Sequence, residues 1–162
     1  MNTRPALSLS LLSLAGIALA TAVPAAAEDA KVASRLDREG IKYTVDGDGD
    51  YKITFNYSKE GRTQLVFVSG TTQEVSGLTV REVFSPAGRI EADGIGGKAA
   101  LELLEASSQM KLGSWEIRGD VLYFVIKVLD SASSSELSSM LDIAAETADD
   151  KEIELSGDKD EL

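Results

Sequence analysis

Two alternating runs on either side of an Asp/Gly cluster constrain this chain most. In IKYTVD, Ile41, Tyr43 and Val45 fall on one side and Lys42, Thr44 and Asp46 on the other. In YKITFNY, Tyr51, Ile53, Phe55 and Tyr57 share a side. A period of two is the pleat of a β-strand with one buried face, and two such runs joined by a short Gly/Asp link read as a hairpin. An antiparallel sheet is therefore the frame into which the rest must fit.

The link itself offers a second reading. Asp46, Asp48 and Asp50 match positions 1, 3 and 5 of a calcium-binding EF-hand loop. That loop needs Gly at position 6 and a bidentate Glu at position 12, and here those positions hold Tyr51 and Tyr57. A polar turn accounts for every residue in the cluster. The hairpin is preferred, and a calcium- or small-ligand-responsive sensor built on Asp46, Asp48 and Asp50 stands as the alternative.

The remaining pattern extends the frame. TQLVFV (63–68) is apolar on both faces, as in a central strand. LTVREVF (78–84) is a fourth strand, expected to stop at Ser85-Pro86. SWEI and VLYFVIKV flank Arg118-Gly119-Asp120 as a second hairpin. Three helices are expected. The first spans Glu28 to Arg38, with Val32 and Leu36 four apart and Gly40 at its end. The second spans Lys98 to Met110, with Leu101, Leu103 and Leu104 as its stripe. The third opens on the capping box of Ser133 and Glu136, and Leu137, Met140, Leu141, Ile143, Ala144 and Ala148 form its apolar face. From Asp149 onward the chain is acidic with few apolar residues, and a frayed end is expected. The order α-β-β-β-β-α-β-β-α predicts an α+β domain: one antiparallel sheet with helices packed on one face.

The first residues belong to a different class of segment. Arg4 precedes an apolar run from Ala6 to Ala20, and Pro24 and Ala25-Ala26-Ala27 follow before the first acids, Glu28 and Asp29. This is the pattern of a secretory signal peptide cut between Ala27 and Glu28, in preference to an uncleaved anchor. The expected organisation is a signal peptide at 1–27, one domain at 28–150 and an acidic tail at 151–162. Removing 27 of the 162 residues leaves 135, with all 27 acids and, Arg4 gone, 15 of the 16 bases, a net charge of −12. Such acidity argues against nucleic acid, which is bound by neutralising phosphates with Lys and Arg, and disfavours adsorption to anionic lipid. With the signal removed, no stable membrane insertion is expected.

The chain contains no histidine and no cysteine. Zinc sites, thiol nucleophiles and Ser-His-Asp triads are thereby excluded. Glu82 and Glu116 lie within strands, but with Arg81 and Arg118 close by they read as solvent-facing pairs across a sheet. GIGGKA (94–99) fits G-x-G-x-x-A, yet lacks the strand before it and the βαβ context that a dinucleotide site requires. No catalytic, cofactor-binding or metal-binding residue is assigned, and no enzymatic activity is expected. Asn56-Tyr57-Ser58 is a glycosylation sequon inside a strand. Lys159 to Leu162 spell KDEL, an endoplasmic-reticulum retention signal, read here as a coincidence of an acidic tail.

At LDREGIKYTVDGDGDYKITF, QMKLGSWEIRGDVLYFVIKV and SSSELSSMLDIAAETADDKE the chain resembles the bacterial YbjN family, whose members are labelled sensory transduction regulators. That family is similar in fold to type III secretion chaperones. The resemblance spans about Val32 to Glu154 and implies a non-enzymatic, chaperone-like or regulatory protein that binds protein partners and forms homodimers. The signal peptide, which departs from many relatives, makes the expected site the bacterial periplasm or the outside. Trp115, Tyr123 and Phe124 on the last hairpin are candidates for an exposed apolar face, with ordinary core packing the preferred reading.

Overall fold

The computed structural model describes residues 29–157. Residues 1–27, read above as a signal peptide, and the KDEL sequence at 159–162 fall outside the described residues. In chain order the elements are α1 (Ala30–Arg38), β1 (Thr44–Val45), β2 (Tyr51–Tyr57), β3 (Arg62–Val68), β4 (Gln73–Val75), β5 (Leu78–Arg89), α2 (Lys98–Gln109), β6 (Ser114–Arg118), β7 (Val121–Leu129) and α3 (Ser134–Ser156). All strands are antiparallel in one sheet, ordered β1-β2-β3-β5-β7-β6, with β4 pairing β5 off that path. The architecture is α+β with one antiparallel sheet, as the sequence pattern predicts.

The strands alternate as strands with one covered face must. Along β3, Arg62, Gln64, Val66 and Val68 are buried and the residues between them are not. Val66, Val68, Val83, Phe124 and Ile126 meet Leu137, Leu141, Ala144, Ala145 and Ala148 of α3 in the core. The small side chains of α3 let that helix lie close across β5, β3 and β7. Val32 and Leu36 of α1 join the same cluster. The Ser133 cap is reciprocal: Glu136 N–H donates to its hydroxyl at 3.2 Å, and Ser133 N–H donates to the Glu136 carboxylate at 2.7 Å.

Four features depart from expectation. β4 is an added strand, turned back onto β5 through Ser76-Gly77, both at positive φ (+50° and +84°), the type I′ geometry that hairpins favour. β5 does not stop at Ser85-Pro86 but runs to Arg89 beside β7, with a register shift between Pro86 and Gly88. Proline has no N–H to give, and the β3–β5 ladder is confined to Phe67–Phe84 and Val68–Val83. Beyond it, side chains bridge the gap: Ser85 Oγ donates to Leu65 O at 2.6 Å, and Gln64 Nε2 to Pro86 O at 2.7 Å. On α2 only Leu103 turns inward, while Leu101 and Leu104 are each 67% exposed. Finally, α3 continues past Asp149 to Ser156, so the expected domain boundary at 150 falls inside a helix whose Glu152 is buried.

Candidate functional site

The face of the sheet opposite the helices is the candidate site. Cross-strand register places Phe67 beside Phe84, Pro86 beside Tyr123, Glu82 beside Lys127 and Val80 beside Leu129 on that face. Phe67 and Phe84 stack with ring centroids 5.2 Å apart and planes within 11°, and Tyr123 meets Phe84 edge-on at 5.8 Å. All three are only part-buried. The Arg118 guanidinium sits 5.4 Å from the Phe84 centroid and 6.0 Å from that of Tyr123, within cation–π range.

Charges frame this aromatic row. Arg118 is held by Glu116 at 2.8 Å and Glu82 at 3.0 Å, and Lys127 reaches Glu116 at 2.6 Å. Burial raises the pKa of Glu116, but Lys127 and Arg118 outweigh it and hold the carboxyl below its usual range. The pairs hold the Arg118 guanidinium beside both rings.

A groove of about 490 Å³ continues the row toward the β4–β5 hairpin. Val75, Leu78, Val80 and Leu129 supply its apolar lining, with Glu82 and Lys127 on the side nearer Phe84. Val75, Leu78 and Leu129 are 53%, 54% and 46% exposed. Chemically the face combines an apolar trough, an aromatic strip and a rim of paired charges.

The aspartate cluster serves the wall of this groove. Asp46 Oδ1 accepts the N–H groups of Asp48 and Asp50, both at 3.0 Å, closing the loop on itself. Asp50 Oδ1 accepts Gly70 N–H at 2.8 Å, tying the loop to the bend between β3 and β4. Burial pushes the Asp50 carboxyl up, Gly70 N–H opposes this, and Asp46 and Asp48 add to it. Residues 51–57, which would supply the later ligands of a calcium loop, are spread along β2. At about 3.3 Å per residue, positions 52 and 57 lie roughly 16 Å apart along the strand. Among the described residues, no group of three or more Asp, Glu, His or Cys is placed to hold a metal ion.

The three hairpin aromatics do not form one face. Phe124 is 1% exposed in the core, with Trp115 part-buried against it at 5.2 Å between centroids. Tyr123, one residue along, points to the uncovered face, because neighbours on a strand alternate. Glu82 and Glu116 share Arg118 across the sheet as expected, but Arg81 turns the other way and is 1% exposed. It binds Asp130 Oδ1 through Nε at 3.0 Å, and also Asp29 and the Ser69 carbonyl. Residues 94–97 form a loop into α2 within a wholly antiparallel sheet, without βαβ context. Asn56 is exposed in β2. Sequence reasoning missed Phe67 and Phe84: strands apolar on both sides read as central and doubly covered, whereas among the described residues only one face carries helices.

Among the described residues no helix is long and apolar enough to cross a membrane. No protein-family model matches the chain, and no curated protein matches it.

Proposed function

We propose that this chain is an exported, non-enzymatic binding protein that holds an apolar segment of a protein partner on the uncovered face of its sheet. The observation that carries the reading is the row Phe67–Phe84–Tyr123, overlaid by Arg118 and continuous with the groove of Val75, Leu78 and Leu129. Aromatic residues and Arg are the side chains enriched where protein surfaces meet. An extended apolar segment fits the trough, with polar groups answered by Lys127 and Glu82 at its side. The leader-like sequence at 1–27 supports a site of action in the bacterial periplasm or outside, and the YbjN-like pattern supports a chaperone-like or regulatory role. Chemistry of its own is no part of this reading, which assigns the chain no catalytic residue.

The test is crosslinking of the native protein in its own host's periplasm, followed by purification and mass spectrometry. The expected result is a stoichiometric partner that is lost when Leu129→Asp and Val75→Asp are introduced together. Both positions are about half exposed, so the melting temperature should stay unchanged. Recovery of the chain alone, or of a partner indifferent to both substitutions, sinks the reading.

A further inference from the structure

One lateral edge of the sheet is β6, and part of its outward-facing backbone is unused. Arg118 and Val121 face each other across the two-residue turn Gly119-Asp120, with Gly119 at φ +61°, the first-position glycine of a type II′ turn. Residues flanking such a turn form a hydrogen-bonded pair, and pairs then alternate along the ladder. Ser114, Glu116 and Arg118 therefore bond to β7, while the N–H and C=O groups of Trp115 and Ile117 point out. The Trp115 N–H bears out this phase by donating to Ser107 Oγ of α2 at 3.0 Å. Among the described residues nothing pairs with the backbone of Ile117, whose side chain is 51% exposed.

We propose that β6 pairs antiparallel with β6 of a second copy of this chain, in the register that sets Ile117 opposite the partner's Ile117. Three observations select a second copy and this register. Ile117 opposite itself is a hydrogen-bonded pair, which is what its outward N–H and C=O require. The same register sets Glu116 against the partner's Arg118 and Arg118 against the partner's Glu116, so the strand is complementary in charge to itself. Centring the pair on Glu116 keeps the phase, but it places two carboxylates face to face and needs the Trp115 N–H that Ser107 already holds.

The third observation is α2. Its approach begins at the hairpin turn, where Ile90 and Glu91 N–H groups bond to Asp120, and it reaches Trp115 at Ser107, so it runs antiparallel to β6. Leu104 lies about 4.5 Å back along the helix from Ser107, and Ile117 about 6.6 Å forward along the strand from Trp115. Leu104 is thus level with Ile117, and Leu101 one turn further on. A two-fold axis through the Ile117 pair brings these exposed leucines of both copies together above the joined edges. The uncovered faces of the two sheets then lie on the same side of one continuous sheet. The backbone pairing lies at the edge and shares only the side chains of Glu116 and Arg118 with that face, and it does not rest on the proposed function.

The chain has no cysteine of its own, so Ile117→Cys introduces a single thiol at the self-opposed position. Opposed residues of a hydrogen-bonded pair have Cα atoms about 5.5 Å apart, inside the span a disulfide bridges. Under mild oxidation of the mature chain, Ile117→Cys should form covalent dimer at least about tenfold faster than Leu129→Cys, which is comparably exposed on the open face. Sedimentation of the unsubstituted chain should show a monomer–dimer equilibrium, weakened by Glu116→Arg and restored by Glu116→Arg with Arg118→Glu. A chain that stays monomeric at every concentration, equal crosslinking of the two cysteines, or a dimer untouched by Glu116→Arg overturns the proposal.

Discussion

Glu152 Oε2 of α3 lies 3.1 Å from Arg62 Nη2 at the start of β3, and Asp149 Oδ1, one turn earlier, lies 3.0 Å from Arg62 Nε. All three side chains are buried beneath the last turns of the helix. This contact is why α3 persists where its apolar stripe ends: the acids that read as a solvated tail are instead gathered on one guanidinium at the sheet.

Removing that guanidinium takes from two buried carboxylates the positive charge they share, the costly half of a broken buried ion pair. Arg62→Met is expected to lower stability by about 3–5 kcal/mol and to loosen α3 from about Asp149 onward. Chemical denaturation and hydrogen exchange of the amides at 149–156 measure the two effects. Replacing Arg62, Asp149 and Glu152 together by Met, Leu and Leu should recover most of the loss, since well-packed apolar groups can stand in for such a cluster. A single variant as stable as the parent would mean that water already reaches these acids.

This cluster also marks where sequence pattern stops being informative. Hairpin turns and caps announce themselves because the relevant groups are neighbours in the chain: Asp46 bonds to Asp48 and Asp50, Ser133 to Glu136. Arg62 and Glu152 are 90 residues apart, and nothing local says that one will neutralise the other. The same holds for Pro86, which ends a strand by local rule but is tolerated in β5 because β3 needs no N–H from it there. The strand β4 was within reach, for Ser-Gly between QEV and LTV is a hairpin dipeptide. The open face was not: period-two alternation shows that a strand has two faces, and says nothing of which one the helices cover.

Acid should destabilise the protein, and Asp29 shows why. Burial raises its pKa, but Lys31 N–H and the Arg81 guanidinium overcome that and hold the carboxyl below its ordinary value. Glu116 is lowered by Lys127 and Arg118 against the effect of burial, and Glu136 by the N–H and O–H of Ser133. A carboxyl with a depressed folded-state pKa contributes stability that is complete above its unfolded value, about 4, and is lost as pH falls through the folded value. Asp50, raised by burial, works in the opposite sense. With three groups against one, the urea midpoint should be flat from pH 7 to 5 and fall below about pH 4. Asp29→Asn keeps an N-cap acceptor for α1 while removing the charge, so it should lower the midpoint at pH 7 and make the acid limb shallower. An acid limb as steep as the parent's would show that Asp29 is not among its sources.

Gly70 is the point at which the aspartate loop and the groove wall meet, and no other residue fits there. A Cβ built on it would lie 2.0 Å from the Gly49 carbonyl oxygen and 2.8 Å from the Gly49 carbonyl carbon. These are backbone atoms, which cannot rotate out of the way as a side chain does. Gly70→Ala must therefore push the 46–50 loop off the β3–β4 bend and stretch the bond from Gly70 N–H to Asp50. Overpacking of this kind costs about 1–3 kcal/mol, and here it also displaces the residues that line the groove beside Val80. Gly47, in the same loop, has open space where its Cβ would be, so Gly47→Ala should leave stability within about 0.5 kcal/mol of the parent. Thermal denaturation of the two variants side by side decides the matter. Equal losses would mean that the loop resists any added side chain, and equal tolerance that the bend is not clamped by it. Only a loss confined to Gly70→Ala fits a turn whose acids hold the groove in shape.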